Sequence, residues 1–176
     1  VKTALDHFQQ INIVVNNAAV QYPVDSFLDI TVEQWDKTFR TNLDGIFYLC
    51  KEAVPHLGQG DSIICTTSVN AYRGHSILID YTSTKGAIVG FVRSLAQNIA
   101  DRGIRVNMVA PGPIWTPLIP STFDADQVAE FGTETPLKRP GQPSELAGAY
   151  VLLASQDGTY ITGQCIHVNG GGTMCS

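Results

Sequence analysis

The order of apolar and polar positions divides the chain into short and long segments in alternation. Residues 1–10 (VKTALDHFQQ) read as the end of a helix, and Ile11–Val15 (INIVV) follows as a short apolar run ending in Asn16-Asn17. Its length and β-branched side chains favour a strand buried on both faces, as in parallel sheets. After a polar loop, Thr31 stands three residues ahead of Gln34, the pattern of a capping box. Trp35, Phe39, Leu43, Ile46, Cys50, Ala53 and Leu57 then recur at steps of three and four, which predicts a long amphipathic helix stopped by Gly58 and Gly60.

Asp61–Thr67 (DSIICTT) predicts a second strand. A polar loop containing Asn70, Arg73, Gly74 and His75 leads from it into a helix over Asp80–Asp101, which Gly103 ends. Ile104–Ala110 (IRVNMVA) predicts a third strand, broken by Pro111-Gly112-Pro113. The stretch Trp115–Arg139, rich in proline and acidic residues, reads as a mobile loop with one short helix, in the manner of a lid. Pro143 opens a last helix ending near Ser155, and Gln164–Val168 is a final strand before a glycine-rich tail. Strands and helices in alternation predict right-handed βαβ units: an α/β, Rossmann-like, doubly wound parallel sheet between helix layers, in a single domain. In such sheets sites form beyond the carboxyl ends of the strands, here just after Val15, Thr67 and Ala110.

Composition narrows the function classes. With 176 residues, 44% of them hydrophobic, the chain can build a sizeable core, and a net charge of −5 offers no basic field for nucleic acid or an anionic membrane. No apolar run approaches the roughly 20 residues of a membrane span, and no secretory leader pattern opens the sequence, so the cytoplasm is the expected compartment. Cys50, Cys65, Cys165 and Cys175 form no C-x-x-C motif, and no histidine spacing suggests a ligand set, so no metal site is expected and the thiols read as idle. His7, His56, His75 and His167 read as structural or exposed, with the alternative that His75, in the loop six residues before Tyr81, could touch a substrate.

The candidate chemistry lies at Tyr81-Thr-Ser-Thr-Lys85, where a spacing of four puts phenol and ammonium on one helix face, one turn apart. A nearby cation is a means of drawing a tyrosine from its pKa of about 10 toward neutrality, as a proton carrier requires. Ser68, at the carboxyl end of the second strand and thirteen residues before Tyr81, could meet the helix start across the sheet rim. The bland alternative is a set of unrelated surface polar residues. By chance alone the three-residue pattern would occur roughly 0.01 times in a chain of this composition.

These residues resemble the active site of the short-chain dehydrogenase/reductase family, and the resemblance runs through the whole chain. Val15-Asn16-Asn17-Ala18-Ala19 resembles the family's Asn-Asn-Ala-Gly strand end, Thr41-Asn42-Leu43-Asp44-Gly45 its asparagine segment, and Ile63–Ser68 its serine strand. Tyr81 to Lys85 matches Tyr-x-x-x-Lys, Asn107–Thr116 the nicotinamide loop, and Thr162–Gly171 the carboxyl-terminal strand. The resemblance implies hydride transfer between NAD or NADP and a small alcohol or carbonyl. Tyr81 would exchange the substrate proton and Ser68 hold the substrate oxygen. Lys85 would lower the Tyr81 pKa and bind the ribose, and Asn42 would hold a water linking Lys85 to solvent. Asn17 and Ala18 would line the ribose side, while backbone groups around Pro111, Gly112 and Ile114, with the Thr116 hydroxyl, would grip the carboxamide. The resemblance, together with surplus apolar residues on the second long helix (Ile88, Val89, Phe91, Val92), also implies a homo-oligomer, dimer or tetramer.

Two departures accompany the match. Ala19 replaces the family's usual glycine, and no G-x-G-x-x-G or related phosphate-binding turn occurs in the sequence. The resemblance therefore implies a three-layer sandwich truncated at its amino terminus, with Ile11–Val15 at an open sheet edge. These 176 residues alone are then expected to associate through that edge and to lack useful turnover. The reading from another class is a catalytically silent scaffold or binding module that keeps the fold's oligomer interfaces.

Overall fold

The computed structural model describes residues 1–173. Four strands, β1 (Ile13–Asn16), β2 (Ser62–Thr66), β3 (Arg105–Pro111) and β4 (Cys165–Val168), form one parallel sheet in the order β1-β2-β3-β4. Each is the expected strand, shifted by one or two residues at its ends. Helix α1 covers Lys2–Phe8, α2 Val32–Phe39, α3 Gly45–Ala53, α4 Asn70–Arg73 and α5 Ile79–Asn98, and the later helices are α6 (Leu118–Thr122), α7 (Ala125–Glu130) and α8 (Pro143–Ala154).

The period-two alternation of the strands sorts two cores. Val14, Ile63, Cys65, Val106 and Met108 point to the face covered by α3 and α5, where they meet Ile46, Cys50, Ile88 and Val92. Ile64 and Val109 point to the other face and pack on Leu153 of α8. Ile88 and Val92 are thus core residues, whereas Val89 and Phe91 are only partly buried against the same cluster. On β1 the alternation leaves Ile13 and Val15 about half exposed, because β1 is the sheet's edge strand. The expected open edge is present among the described residues.

The helix predicted across Trp35–Leu57 is one rod with a defect. Thr31 caps α2 by accepting from Gln34 N at 3.1 Å, as its spacing predicts. Between α2 and α3, residues Arg40–Asp44 widen into a π turn, a feature that periodicity cannot reveal because it keeps the apolar stripe nearly in phase. Gly103 closes the turn after α5 at φ 70°, in the left-handed region where a glycine costs least. The presumed lid holds two short helices, α6 and α7, rather than one. The second is started by a capping box between Asp124 and Gln127 that the sequence reading missed.

Two of the thiols are neighbours. Cys50 of α3 and Cys65 of β2, both buried, flank the Asn16 side chain, whose Nδ2 lies 3.5 Å from one sulfur and 3.6 Å from the other. Cys175 lies outside the described residues. No group of three or more potential metal ligands occurs among the described residues, and no helix there is long and apolar enough to cross a membrane.

Candidate active site

The carboxyl ends of β1, β2 and β3 open into a cleft of about 760 Å³, roofed by α6 and α7 and floored by the start of α5. Asn17, Ala18, Ser68, Tyr81, Lys85, Pro111, Gly112, Ile114 and Thr116 all line it. Residues up to 99 positions apart in sequence are thereby brought together, because a parallel sheet stacks its strand ends on one rim. Ala19, at the family's glycine position, lines the cleft as well.

Lys85 is 2% exposed, and its Nζ donates to the Thr66 carbonyl at 2.8 Å while lying 5.4 Å from the centre of the Tyr81 ring. Burial lowers its pKa to about 8, an effect partly opposed by the charge of Cys65. An ammonium has three N–H donors. Thr66 O accepts one, and the other two have no protein acceptor among the described residues. The Lys85 carbonyl is anchored by Thr67, whose hydroxyl donates to it at 2.7 Å.

Tyr81 meets Ser68 side chain to side chain. The Ser68 Oγ is oriented by the Asn70 N–H, which donates to it at 3.1 Å. The expected fall of the Tyr81 pKa is not what this arrangement gives. Burial raises it, and the Ser68 hydrogen bond only partly offsets that. The physical reason is that the phenol is withdrawn from water, which disfavours the phenolate more than one hydroxyl donor favours it.

The Asn42 side chain is committed to protein groups. It sits in the π turn, fully buried, with Oδ1 accepting from Val20 N at 2.8 Å and Nδ2 donating to Val20 O at 2.9 Å and Thr84 Oγ1 at 3.2 Å. Both amide hydrogens are spent on protein, so the side chain clamps the loop after β1 instead of presenting a donor to water. Asn17 is exposed, and its Oδ1 accepts from Thr66 Oγ1 at 2.8 Å.

At the end of β3 the Pro111 carbonyl accepts from Val69 N at 3.0 Å, and in the loop that follows Gly112 N donates to Val168 O at 2.9 Å. The Pro111 carbonyl and the Gly112 N–H thus help hold the loop. Gly112 also packs so closely on Asn169 that an added Cβ would sit 2.6 Å from its Cα. Gly141 pins the next stretch, donating to Pro113 O at 2.9 Å and accepting from Trp115 N at 2.8 Å. Ile114, between them and nearly buried, keeps its N–H and C=O without a protein partner among the described residues. Thr116 stands half-buried at the same wall. Sequence reasoning missed Thr66 and Thr67, whose only signal was their position at the end of a predicted strand. His75, which the sequence suggested as structural or exposed, lines the cleft, with its pKa lowered by burial and by the Arg73 charge.

The enoyl-(acyl carrier protein) reductase family model matches residues 1–173. An uncharacterized oxidoreductase, YhdF, of Bacillus subtilis is 61% identical over 97% of this chain and 59% of its own length. The chain thus spans less than two-thirds of the length of such curated relatives. Among solved structures, the short-chain dehydrogenase/reductase glucose/ribitol dehydrogenase of Brucella melitensis superposes with a TM-score of 0.86 at 38% identity, covering 99% of this chain and 69% of that one. A blue fluorescent protein from a metagenomic library, in complex with NADPH, superposes with a TM-score of 0.91 at 29% identity, covering 98% of this chain and 69% of that one.

Proposed function

Since the chain belongs to the short-chain dehydrogenase/reductase family, we propose that its cleft serves an NAD(P)-dependent oxidoreductase acting on a small alcohol or carbonyl. The observation that carries this reading is the meeting in one cleft of Ser68, just past β2, with Tyr81 and Lys85 of α5, Ser68 and Lys85 being buried and Tyr81 half-buried. The residues present fit the nicotinamide end of the cofactor. The two uncommitted donors on the Lys85 ammonium suit a pair of ribose hydroxyls, and the spare N–H and C=O of Ile114 suit a carboxamide. The NADPH held by one structural relative supports the same fit.

The nicotinamide, when bound, supplies the hydride donor or acceptor. Ser68, its Oγ oriented by Asn70, holds the substrate oxygen. Tyr81 passes its phenolic proton to that oxygen in reduction and takes it back in oxidation. Withdrawal from water keeps the phenol protonated, which suits the reductive direction, and the positive charge of Lys85 stabilises the phenolate that this transfer leaves. Asn42 fixes the loop beside the cleft. The polar cleft residues Gln21, Arg73, His75 and Gln127 favour a hydroxylated substrate, in keeping with the sugar and polyol in one relative's name. Phe47, Tyr48 and Leu49, exposed on α3, support a homo-oligomer built through α3 and α5, which sedimentation of the full chain tests.

The test of the activity, in the protein at the full length of its curated relatives, is nicotinamide absorbance, followed with NADPH and a panel of aldehydes and aldoses, and with NADP and polyols. Tyr81→Phe should lower kcat by about a hundredfold or more while circular dichroism stays unchanged. Near-native turnover in that variant would end the reading.

A further inference from the structure

Asp80, immediately before Tyr81, is the one fully buried carboxylate among the described residues, and the chemistry above does not use it. Its Oδ1 accepts from the Tyr81 backbone N–H at 2.8 Å. Its Oδ2 lies 2.7 Å from the Thr38 hydroxyl and 3.1 Å from Gln34 Nε2, both on α2. Gln34 Nε2 also reaches the Tyr22 carbonyl at 3.4 Å, on the loop that leads from β1 past the cleft. Thr38 is itself fully buried.

Tyr81 stands in the first turn of α5, where backbone N–H groups have no partner within the helix and where helices fray. Both of its backbone polar groups are nevertheless held by α5 side chains that are themselves tied to α2 and to the π turn after it. Asp80 takes the N–H. The carbonyl accepts from Thr84 Oγ1 at 2.7 Å, and Thr84 in turn accepts from Asn42. The backbone is thus fastened on one side while the phenol projects to Ser68 on the other. A buried carboxylate is a costly way to join two helices, since apolar packing would do so at least as well. What it adds is direction: three donors converge on one group and leave the first turn a single register against α2.

We propose that Asp80 is a positioning residue for Tyr81, fixing the first turn of α5 against α2 so that the phenol oxygen meets Ser68 and the substrate at reacting distance. The inference rests on the reading of Tyr81 as the proton carrier. It assigns to Gln34 and Thr38 the task of holding Asp80. A displacement of about 1 Å at a reacting group costs on the order of a hundredfold in rate, so a loosened turn is felt at the chemical step before it is felt in binding.

Asp80→Asn keeps the acceptor for Tyr81 N but can turn a donor toward Gln34 Nε2, while Gln34→Glu in the same chain restores an acceptor there. Thr38→Val removes one tie with little change of volume and covers the case in which Asp80→Asn does not fold. Each is made in the protein at the full length of its curated relatives, which includes a phosphate-binding turn, and assayed with NADPH and glyceraldehyde. The expected result is a fall in kcat of about ten- to a hundredfold for Asp80→Asn, with KM and NADPH affinity within about twofold, and a partial return in the double variant. Fluorine NMR of fluorotyrosine-labelled protein, with Tyr81 assigned by its loss in Tyr81→Phe, gives a readout independent of turnover. The Tyr81 resonance should shift or broaden in Asp80→Asn and Thr38→Val while the other tyrosines stay in place. A parent protein without turnover would count against the oxidoreductase reading, and the resonance would still test Asp80. Folded variants with an unmoved Tyr81 resonance, or with losses in KM and kcat alike and no return in the double variant, would overturn the proposal.

Discussion

Replacing Lys85 by methionine should stabilise the fold. The ammonium is 2% exposed, and burial brings its pKa from the usual 10.5 to about 8. At about 1.4 kcal/mol per pH unit, the folded state bears about 3 kcal/mol against the charged form. Methionine keeps a long unbranched stem without the charge, and leaves the Thr66 carbonyl short of one hydrogen bond, a loss of about 1 kcal/mol. The net expectation near pH 7 is a gain of about 2 kcal/mol, or about 4–8 °C in Tm for a chain of this size. The sign with pH follows from the lowered folded-state value. Between about pH 8 and 10.5 the unfolded chain binds more protons than the folded one, so the parent's stability rises across that window. The cost is full below it and gone above it. The advantage of Lys85→Met should therefore be greatest near pH 7 and shrink toward pH 10, as read by urea unfolding followed by circular dichroism at both pH values. A variant no more stable than the parent at pH 7, or an advantage equal at both, would refute the reasoning. A residue kept at such a cost is placed for chemistry, and the same variant should lose turnover.

Asn42→Ala should destabilise the protein by about 2–4 kcal/mol, since it strips partners from Val20 and Thr84 inside the structure; chemical denaturation measures this, and a loss under 1 kcal/mol would show that the clamp is dispensable. Gly112→Ala sets a methyl against Asn169 backbone and should cost about 1–3 kcal/mol in thermal unfolding, with a shifted Trp115 fluorescence as the loop moves; an unchanged Tm and spectrum would contradict the close packing. Val15→Lys places a charge on the half-exposed face of the edge strand and should reduce self-association of the 176-residue chain in light scattering, whereas unaltered association would locate the sticky surface elsewhere.

The strand and helix sequence was legible because each signal is local. A branched apolar run such as Ile63–Cys65 has few places to go but a sheet interior, and Thr31 with Gln34 starts a helix wherever it lies. The Tyr81–Lys85 spacing placed both groups on one face of α5, and the match of six segments to one family located Ser68 and the loop after β3. Tertiary structure alone decided the rest. The π turn at Arg40–Asp44 arises where Asn42 must reach Val20 and Thr84 at once, a demand set by residues 22 and 42 positions away. Cys50 and Cys65 look idle in sequence and become neighbours because α3 packs on β1, whose Asn16 is paired in the sheet with Cys65. The spacing of Tyr81 and Lys85 points to a lowered phenol pKa, while burial, which no spacing encodes, raises it. Sequence fixes which groups can act and on which face they stand. Dielectric surroundings, and the partners that claim each donor and acceptor, are properties of the packed whole.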